Sequence, residues 1–135
     1  MSGKNPVSIP LLVSTVSCGG FSSVADDFIE RELDLNELCI ENMAESYIVR
    51  ASGQSMFPEI KAGDYLVVDR SLEAQDQDKI VCVLDGEFAV KRFRRPRQEI
   101  YLSSDNPQYK PLKICEGAEF AVWGVVVATI RLRRG

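Results

Sequence analysis

Ser55 and Lys91 are the two residues whose types and surroundings point most clearly to chemistry. Ser55 ends the small-residue turn 52–55 (Ser-Gly-Gln-Ser), which follows a β-rich stretch. Such a turn can expose a hydroxyl, and its backbone N–H groups can form an oxyanion hole. The chain contains no histidine, which excludes a Ser-His-Asp triad and a Cys-His dyad. The remaining activator for a nucleophilic serine is a neutral lysine.

Lys91 lies on a predicted β-hairpin that places it beside apolar residues. Asp-Gly at 85–86, between two β-rich runs, predicts a two-residue turn because both turn positions need a positive φ. The resulting register pairs 80–84 with 87–91, with Ile80 opposite Lys91. Strand alternation puts Lys91 on the face of Ala89 and Phe93. An amine kept from water there favours its neutral form, which can act as a general base. For this hairpin alone, a surface lysine in a basic run is the alternative.

The surrounding pattern predicts a mostly-β fold in one compact domain. Strands are expected at 47–49, 65–68, 80–84, 87–91, 100–102 and 122–130, and turns at 106–107 and 109–111. Ser23 followed by Asp26 predicts a short helix that carries Val24, Phe28 and Ile29. Residues 1–23, which are rich in Ser, Gly and Pro, are expected to form an extended arm, and 24–135 the domain itself.

The composition is that of a globular chain with an uneven charge distribution. Apolar residues make up 45% of the 135 residues and charged residues 27%. The formal charge of −4 excludes a polycation that coats nucleic acid. Residues 1–49 carry net −6, residues 50–90 net −4 and residues 91–135 net +6. This asymmetry indicates either intramolecular complementarity or a solvated mixed surface.

The cysteines and the apolar runs predict neither a metal site nor a membrane span. Cys18, Cys39, Cys82 and Cys115 are far apart and form no CxxC pair, so a reducing cytoplasm without zinc or another cofactor is expected. The longest apolar run, 120–130, is shorter than the roughly 20 residues of a membrane helix. The N-terminal segment loosely imitates a lipoprotein signal ending at Cys18, although prolines and serines interrupt its apolar part.

Three blocks of the sequence, taken together, resemble the LexA/UmuD family of self-cleaving serine peptidases (peptidase S24). These blocks are Ala-Ser-Gly-Gln-Ser-Met at 51–56, Gly-Asp-Tyr-Leu-Val-Val-Asp at 63–69 and Asp-Gly-Glu-Phe-Ala-Val-Lys-Arg at 85–92. The resemblance extends to 34–38 upstream and, downstream, to Leu102, Asn106-Pro107, Tyr109, Pro111 and 124–126. It implies the compact β-fold of the LexA C-terminal domain, with a short N-terminal helix and an extended, cleavable N-terminal arm.

The resemblance also implies the roles of individual residues. The family's nucleophile falls on Ser55, and its general base falls on Lys91. Its scissile bond falls on Cys18-Gly19, and its oxyanion donors on the backbone N–H groups of Gln54 and Ser55. The family often has a hydroxyl residue two positions before the lysine. This chain has alanine at position 89, so a possible hydrogen-bond partner of the Lys91 amine is missing and the amine is expected to be held less tightly, with its role unchanged.

The function implied is that of an SOS-response protein of the UmuD type. Such proteins are homodimers that remove their own arm when stimulated by RecA on single-stranded DNA. The shortened form is then an accessory subunit of a UmuC-type Y-family polymerase in error-prone translesion synthesis. Only 17 residues precede Cys18, too few for the helix-turn-helix domain of the repressor members. The alternatives are a non-catalytic polymerase-binding module and a lipoprotein modified at Cys18.

The basic run 91–97 could also be interpreted as a nucleic-acid patch. Phe93 is expected to face inward and Pro96 to end the strand, which favours a solvated loop instead. The sequence therefore predicts no tight direct binding of DNA and no membrane association.

Overall fold

A computed structural model describes residues 8–12 and 29–133. The elements are β1 (Ser8–Leu12), β2 (Ile29–Asp34), α1 (Leu35–Cys39), β3 (Ser46–Arg50), β4 (Tyr65–Asp69), β5 (Lys79–Leu84), β6 (Glu87–Arg94), β7 (Tyr101–Ser103), β8 (Leu112–Lys113) and β9 (Phe120–Ile130). Short 3-10 turns occupy Met43–Glu45 and Pro96–Gln98. The chain divides into two compact units, 1–41 and 42–135. No helix in the described ranges has the length and apolar character needed to cross a membrane.

The first unit contains an antiparallel strand pair and the short helix. β1 pairs with β2, with Ser8 opposite Asp34. α1 begins after Asp34, whose carboxylate accepts a 2.9 Å hydrogen bond from the Asn36 N–H and so caps the helix. The prediction of a short helix that carries Ile29 is wrong for that residue, because Ile29 lies in β2 and pairs with Leu12 of β1. The rest of that predicted helix lies outside the described residues.

The second unit is built on a seven-stranded antiparallel sheet, in the order β3-β4-β9-β5-β6-β7-β8. The mostly-β prediction is therefore confirmed. The long strand β9 lies between β4 and β5 and pairs with both. A Cβ atom at position 124 would lie 2.5 Å from the Val68 side chain, so this close strand contact requires glycine.

The hairpin that carries Lys91 has the predicted register, from Ile80 opposite Lys91 to Leu84 opposite Glu87. Both turn residues at 85–86 have positive φ, 50° and 83°, as the Asp-Gly sequence predicts. β6 continues beyond the predicted end and stops at Arg94, before Pro96.

The strand following this hairpin differs slightly from the prediction. β7 begins at Tyr101, one residue later than expected, and it pairs with β8, which the sequence did not predict. β8 has only two residues, so it carries no periodic pattern. The predicted turn after β7 is confirmed, since the Tyr109 N–H donates to the Asn106 carbonyl over 3.1 Å.

Apolar residues are buried in two clusters, and alternate residues of β5 belong to different clusters. Val81 packs in the first cluster, whereas Ile80 and Cys82 pack in the second. The other buried residues of the first cluster are Ala51, Met56, Ile60, Leu66, Val68 and Val126. Those of the second are Phe93, Leu102 and Val125. Phe93 is only 3% exposed, which confirms that it faces inward within the basic run.

Candidate active site

The turn that carries Ser55 is held in place on both sides, at Ala51 before it and at Met56 after it. The Ala51 N–H donates to the Asp64 carbonyl over 2.8 Å, which ties the start of the turn to the start of β4. Gly53 has φ +78°, a conformation that favours glycine. Met56, the next residue after Ser55, is 3% exposed and anchors the turn in the first cluster. Ser55 itself is half-buried.

Lys91 is half-buried on β6, and its surroundings are largely those that the sequence predicts. Ile80 lies opposite it on β5, and Phe93 is buried in the second cluster. The amine lies 5.8 Å from the centre of the Tyr109 ring. Burial raises the pKa of the nearby Cys82 thiol, and the positive charge of Lys91 opposes that rise. The placement of Lys91 on this face is confirmed.

Segment 104–106, which follows β7, contacts both Lys91 and the turn of Ser55. The Lys91 Nζ donates to the Ser104 Oγ over 3.1 Å. Two residues later, the Asn106 N–H donates to the Ser55 carbonyl over 3.0 Å. The Asn106 Nδ2 donates to the Gln54 carbonyl, also over 3.0 Å. The two candidate catalytic residues are thus brought to the same three-residue segment, although within residues 29–133 their side chains share no direct hydrogen bond.

Two backbone N–H groups beside Ser55 are the candidate donors of an oxyanion hole. The Gln54 carbonyl accepts a hydrogen bond from the Asn106 side chain, which orients the peptide group that contains the Ser55 N–H. Within the described part of the chain, the N–H groups of Gln54 and Ser55 donate no hydrogen bond. Two adjacent unpaired N–H groups can stabilise an oxyanion.

A cavity of about 370 Å³ lies beside Ser55. The turn contributes Ser52, Gly53 and Ser55 to its wall, and the sheet contributes mainly apolar residues, among them Phe88, Val90 and Trp123. Phe88 is 65% exposed and meets Trp123 edge-on, with 5.9 Å between the ring centres. Such a wall suits an apolar segment of polypeptide better than a charged one.

Arg92, the residue after Lys91 on β6, binds a carboxylate of segment 104–106. Its guanidinium donates two hydrogen bonds to Asp105, of 2.9 and 2.7 Å, and a third to the Gln77 carbonyl over 2.7 Å. Donation of these hydrogen bonds to Asp105 raises the pKa of Arg92 above its ordinary value. Further along the basic run, Arg94 forms an ion pair with Asp76. Part of this run therefore binds carboxylates of the same chain.

Sequence reasoning missed three residues of this site. Ser104 carried no recognisable signal, because a lone serine after a short strand is common. Asn106 and Tyr109 were recognised as turn residues and as part of the family resemblance, but not as residues that contact the site. The asparagine-proline pair at 106–107 indicated a turn but not that the asparagine side chain would reach the turn of Ser55, since 50 residues lie between them in the chain.

The described cysteines Cys39, Cys82 and Cys115 are free thiols. Within residues 8–12 and 29–133, no three His, Cys, Asp or Glu side chains are grouped so that they could hold a metal ion. The predicted scissile bond, Cys18-Gly19, lies outside the described residues.

The arrangement of a serine turn, a half-buried lysine and an apolar cavity can be compared with known families. The model of the Peptidase S24-like family matches residues 10–127. This chain belongs to the peptidase S24-like family. The resemblance predicted from the sequence is therefore confirmed.

Individual relatives cover nearly the whole chain. Protein ImpA of Salmonella typhimurium is 39% identical over 98% of this chain and 90% of its own length. Protein SamA of Salmonella typhimurium strain LT2 is 39% identical over 97% of this chain and 92% of its own. The LexA repressor of Bordetella avium is 34% identical over 89% of this chain but only 56% of its own length.

Proposed function

We propose that this protein is a self-cleaving serine peptidase of the UmuD type, which cuts its own arm between Cys18 and Gly19. Ser55 is the nucleophile and Lys91 is the general base. One observation carries the proposal: segment 104–106 binds the Lys91 amine through Ser104 and the turn of Ser55 through Asn106.

The first chemical step forms an acyl-enzyme. The Ser55 Oγ attacks the carbonyl carbon of Cys18 and transfers its proton to the neutral amine of Lys91. The backbone N–H groups of Gln54 and Ser55 donate to the oxyanion that develops. As the tetrahedral intermediate collapses, the C–N bond breaks and the Lys91 ammonium returns the proton to the amine of Gly19.

The second step releases the arm. Water attacks the ester between Ser55 and Cys18 and gives up a proton to the Lys91 amine, which is neutral again after the first step. The ester bond breaks, the Ser55 Oγ takes back a proton, and Cys18 leaves with a free carboxyl group. The arm is residues 1–18, and the shortened protein is residues 19–135.

Docking of the arm offers a means of regulating this reaction. The cavity beside Ser55 has an apolar wall that includes Val90 and Trp123, and the arm carries Val13 and Val16 shortly before the scissile bond. Placing the arm there would bring the scissile bond to Ser55. Lys91 does not line this cavity, so the arm would expel water from its amine, and favour the neutral form, where the chain continues past Ser55. An activator then only has to favour the docked conformation.

The biological role that follows is in the SOS response to DNA damage, as in the UmuD type. The protein acts as a homodimer in the cytoplasm, and RecA filaments on single-stranded DNA stimulate its cleavage. The shortened form joins a UmuC-type Y-family polymerase as the accessory subunit for translesion synthesis. Similarity to the LexA repressor and to ImpA over most of this chain supports this role.

Intact-mass measurement of the purified protein tests the proposal directly. Incubation at pH 9 to 10 should convert the wild type to residues 19–135, whereas Ser55→Ala and Lys91→Ala should stay full-length while remaining folded. Ser103→Ala and Lys79→Ala, changes of the same types on neighbouring strands, should cleave like the wild type.

Three results would contradict the proposal. A new N-terminus other than Gly19 would remove the assigned bond. A lipid on Cys18 would favour a lipoprotein. Wild-type protein that stays intact at alkaline pH, and also with RecA, ATP and single-stranded DNA, would favour a non-catalytic polymerase-binding module.

A further inference from the structure

We infer that Ser104 is a positioning residue that holds the Lys91 amine for catalysis. This inference rests on the proposed function and adds to it a residue outside the Ser55-Lys91 pair. Its basis is the 3.1 Å hydrogen bond between the Lys91 Nζ and the Ser104 Oγ. Both side chains are half-buried, so this contact is partly shielded from competing water.

A hydroxyl is chemically suited to hold an amine that must work as a base. The Ser104 Oγ can accept a hydrogen bond from the amine whether Lys91 is neutral or protonated. In the neutral amine, one N–H used in this way leaves the nitrogen lone pair free to take the proton of Ser55. A carboxylate in the same place would stabilise the ammonium much more strongly and oppose that transfer.

On β6 itself, the residue two positions before Lys91 on the same face is Ala89, which has no hydroxyl that could hold the amine. The residue opposite Lys91 on β5 is Ile80, which is fully buried and apolar. The titratable groups that face the amine are the Cys82 thiol on β5 and the Tyr109 ring from the loop after β7. Within residues 29–133, Ser104 is thus the hydrogen-bond partner of the amine.

Ser104 also belongs to the segment that fixes the turn of the nucleophile. The backbone and side-chain N–H groups of Asn106 bind the carbonyls of Ser55 and Gln54. Between them, Asp105 binds the guanidinium of Arg92 through two oxygens. This bidentate contact anchors the segment to β6 at the residue between Ser104 and Asn106. The Lys91 amine and the Ser55 turn are therefore placed relative to each other by one anchored piece of chain.

The test compares the pH profile of self-cleavage in variants of matched shape. Ser104→Thr keeps the hydroxyl, whereas Ser104→Val has nearly the same shape without it. We expect Ser104→Val to lower the alkaline plateau of the rate about tenfold to a hundredfold, since misplaced reacting groups cost rates of that order. The profile midpoint should also move to lower pH, because an acceptor that favours the ammonium is lost. Ser104→Thr should have nearly the wild-type plateau and midpoint, and Ser103→Ala should change neither quantity.

A second measurement does not depend on cleavage. In the Ser55→Ala background, the rate at which acetic anhydride acetylates Lys91 reports the fraction and freedom of its neutral amine, and peptide mass spectrometry measures it. Ser104→Val should acetylate faster than Ser104→Thr at neutral pH. Circular dichroism would show that both variants are folded.

The outcomes separate the two proposals. If the wild type cleaves but Ser104→Val keeps the plateau and midpoint of Ser104→Thr, the role of Ser104 is wrong. A lower plateau with an unchanged midpoint and unchanged acetylation would indicate a merely structural serine and would also overturn it. If the wild type itself never cleaves, the proposed function fails, while the acetylation rates still decide whether Ser104 holds the amine.

Discussion

Lys91 and Arg92 are neighbours on β6, yet the structure gives them opposite kinds of partner. Each binds a residue of the segment after β7: Lys91 meets the neutral hydroxyl of Ser104, and Arg92 meets the carboxylate of Asp105. The guanidinium makes a two-pronged contact with its partner, whereas the amine makes a single hydrogen bond.

The two partners show how neighbouring residues of one strand can serve different purposes, one in the structure and one in the chemistry. A carboxylate raises the pKa of Arg92, so its side chain stays charged and anchors the segment. A hydroxyl carries no charge, so the adjacent amine can lose its proton without leaving an unpaired carboxylate behind. The permanent ion pair thereby supports the position of a residue that must change its charge.

The largest expected effect on self-cleavage comes from replacing Lys91 with arginine, the residue type at position 92. Lys91→Arg should abolish self-cleavage, with a loss of more than about a thousandfold, because a guanidinium is not deprotonated in proteins and cannot take the proton of Ser55. Intact mass after incubation at pH 9 to 10 measures the loss, and Lys79→Arg is the matched control. Cleavage of Lys91→Arg at a tenth of the wild-type rate or more would break the comparison.

A smaller effect follows from giving Lys91 the kind of partner that Arg92 has. Wild-type cleavage should accelerate from pH 7 toward pH 10, because the neutral amine is the reactive form. In Ser104→Asp the carboxylate should stabilise the ammonium and move the midpoint of the profile up by about 1 to 2 pH units. The rate near pH 7.5 should fall about tenfold or more. An unshifted midpoint would count against a base at Lys91, and Ser104→Asn controls for size.

Removing the charge of the other partner should lower the stability of the fold. Asp105→Asn breaks the two-pronged contact with Arg92, whose side chain is only 21% exposed. The free energy of unfolding should fall by about 2 kcal/mol, the usual scale for hydrogen bonds to charged groups. Urea unfolding measures this fall. A stability equal to the wild type would show that the ion pair does not anchor the segment.

The smallest effect concerns a second arginine-aspartate pair, formed by Arg131 and Asp64 away from segment 104–106. Two hydrogen bonds from Arg131, of 2.8 and 2.7 Å, are the main reason that the pKa of Asp64 lies below its ordinary value of 3.8. The backbone N–H of Lys61 contributes in the same direction. Because the folded state favours the carboxylate, this stabilisation is complete above the ordinary pKa and is lost as pH falls through the lower folded value.

Asp64→Asn should therefore lower the melting temperature by about 4 °C at pH 6. The difference from the wild type should shrink steadily between pH 4 and pH 2. Differential scanning calorimetry of the two proteins across that range measures it. A difference that stays constant down to pH 2 would show that the charge of Asp64 does not contribute, and cleavage at alkaline pH should be the same in both proteins.

Local sequence patterns were enough to predict most strands of the sheet and the face on which Lys91 lies. The turn residues at 85–86 and alternation along the two strands were enough to place Ile80 opposite Lys91, as the structure confirms. This works because a two-residue turn sets the register of a hairpin and the side-chain period of a strand is two. The three sequence blocks likewise identified the family that the comparisons confirm.

Hydrogen bonds between residues far apart in the sequence could be identified only from the tertiary structure. The contacts of Ser104 with Lys91 and of Asn106 with Ser55 join parts of the chain that no local pattern connects. The insertion of β9 between β4 and β5, and the two-residue strand β8, also depend on packing across the sheet. Strand pairing likewise places Ile29 in β2, although the sequence assigned this residue to a helix. Local preferences amount to fractions of a kcal/mol per residue, so pairing and burial between distant segments outweigh them.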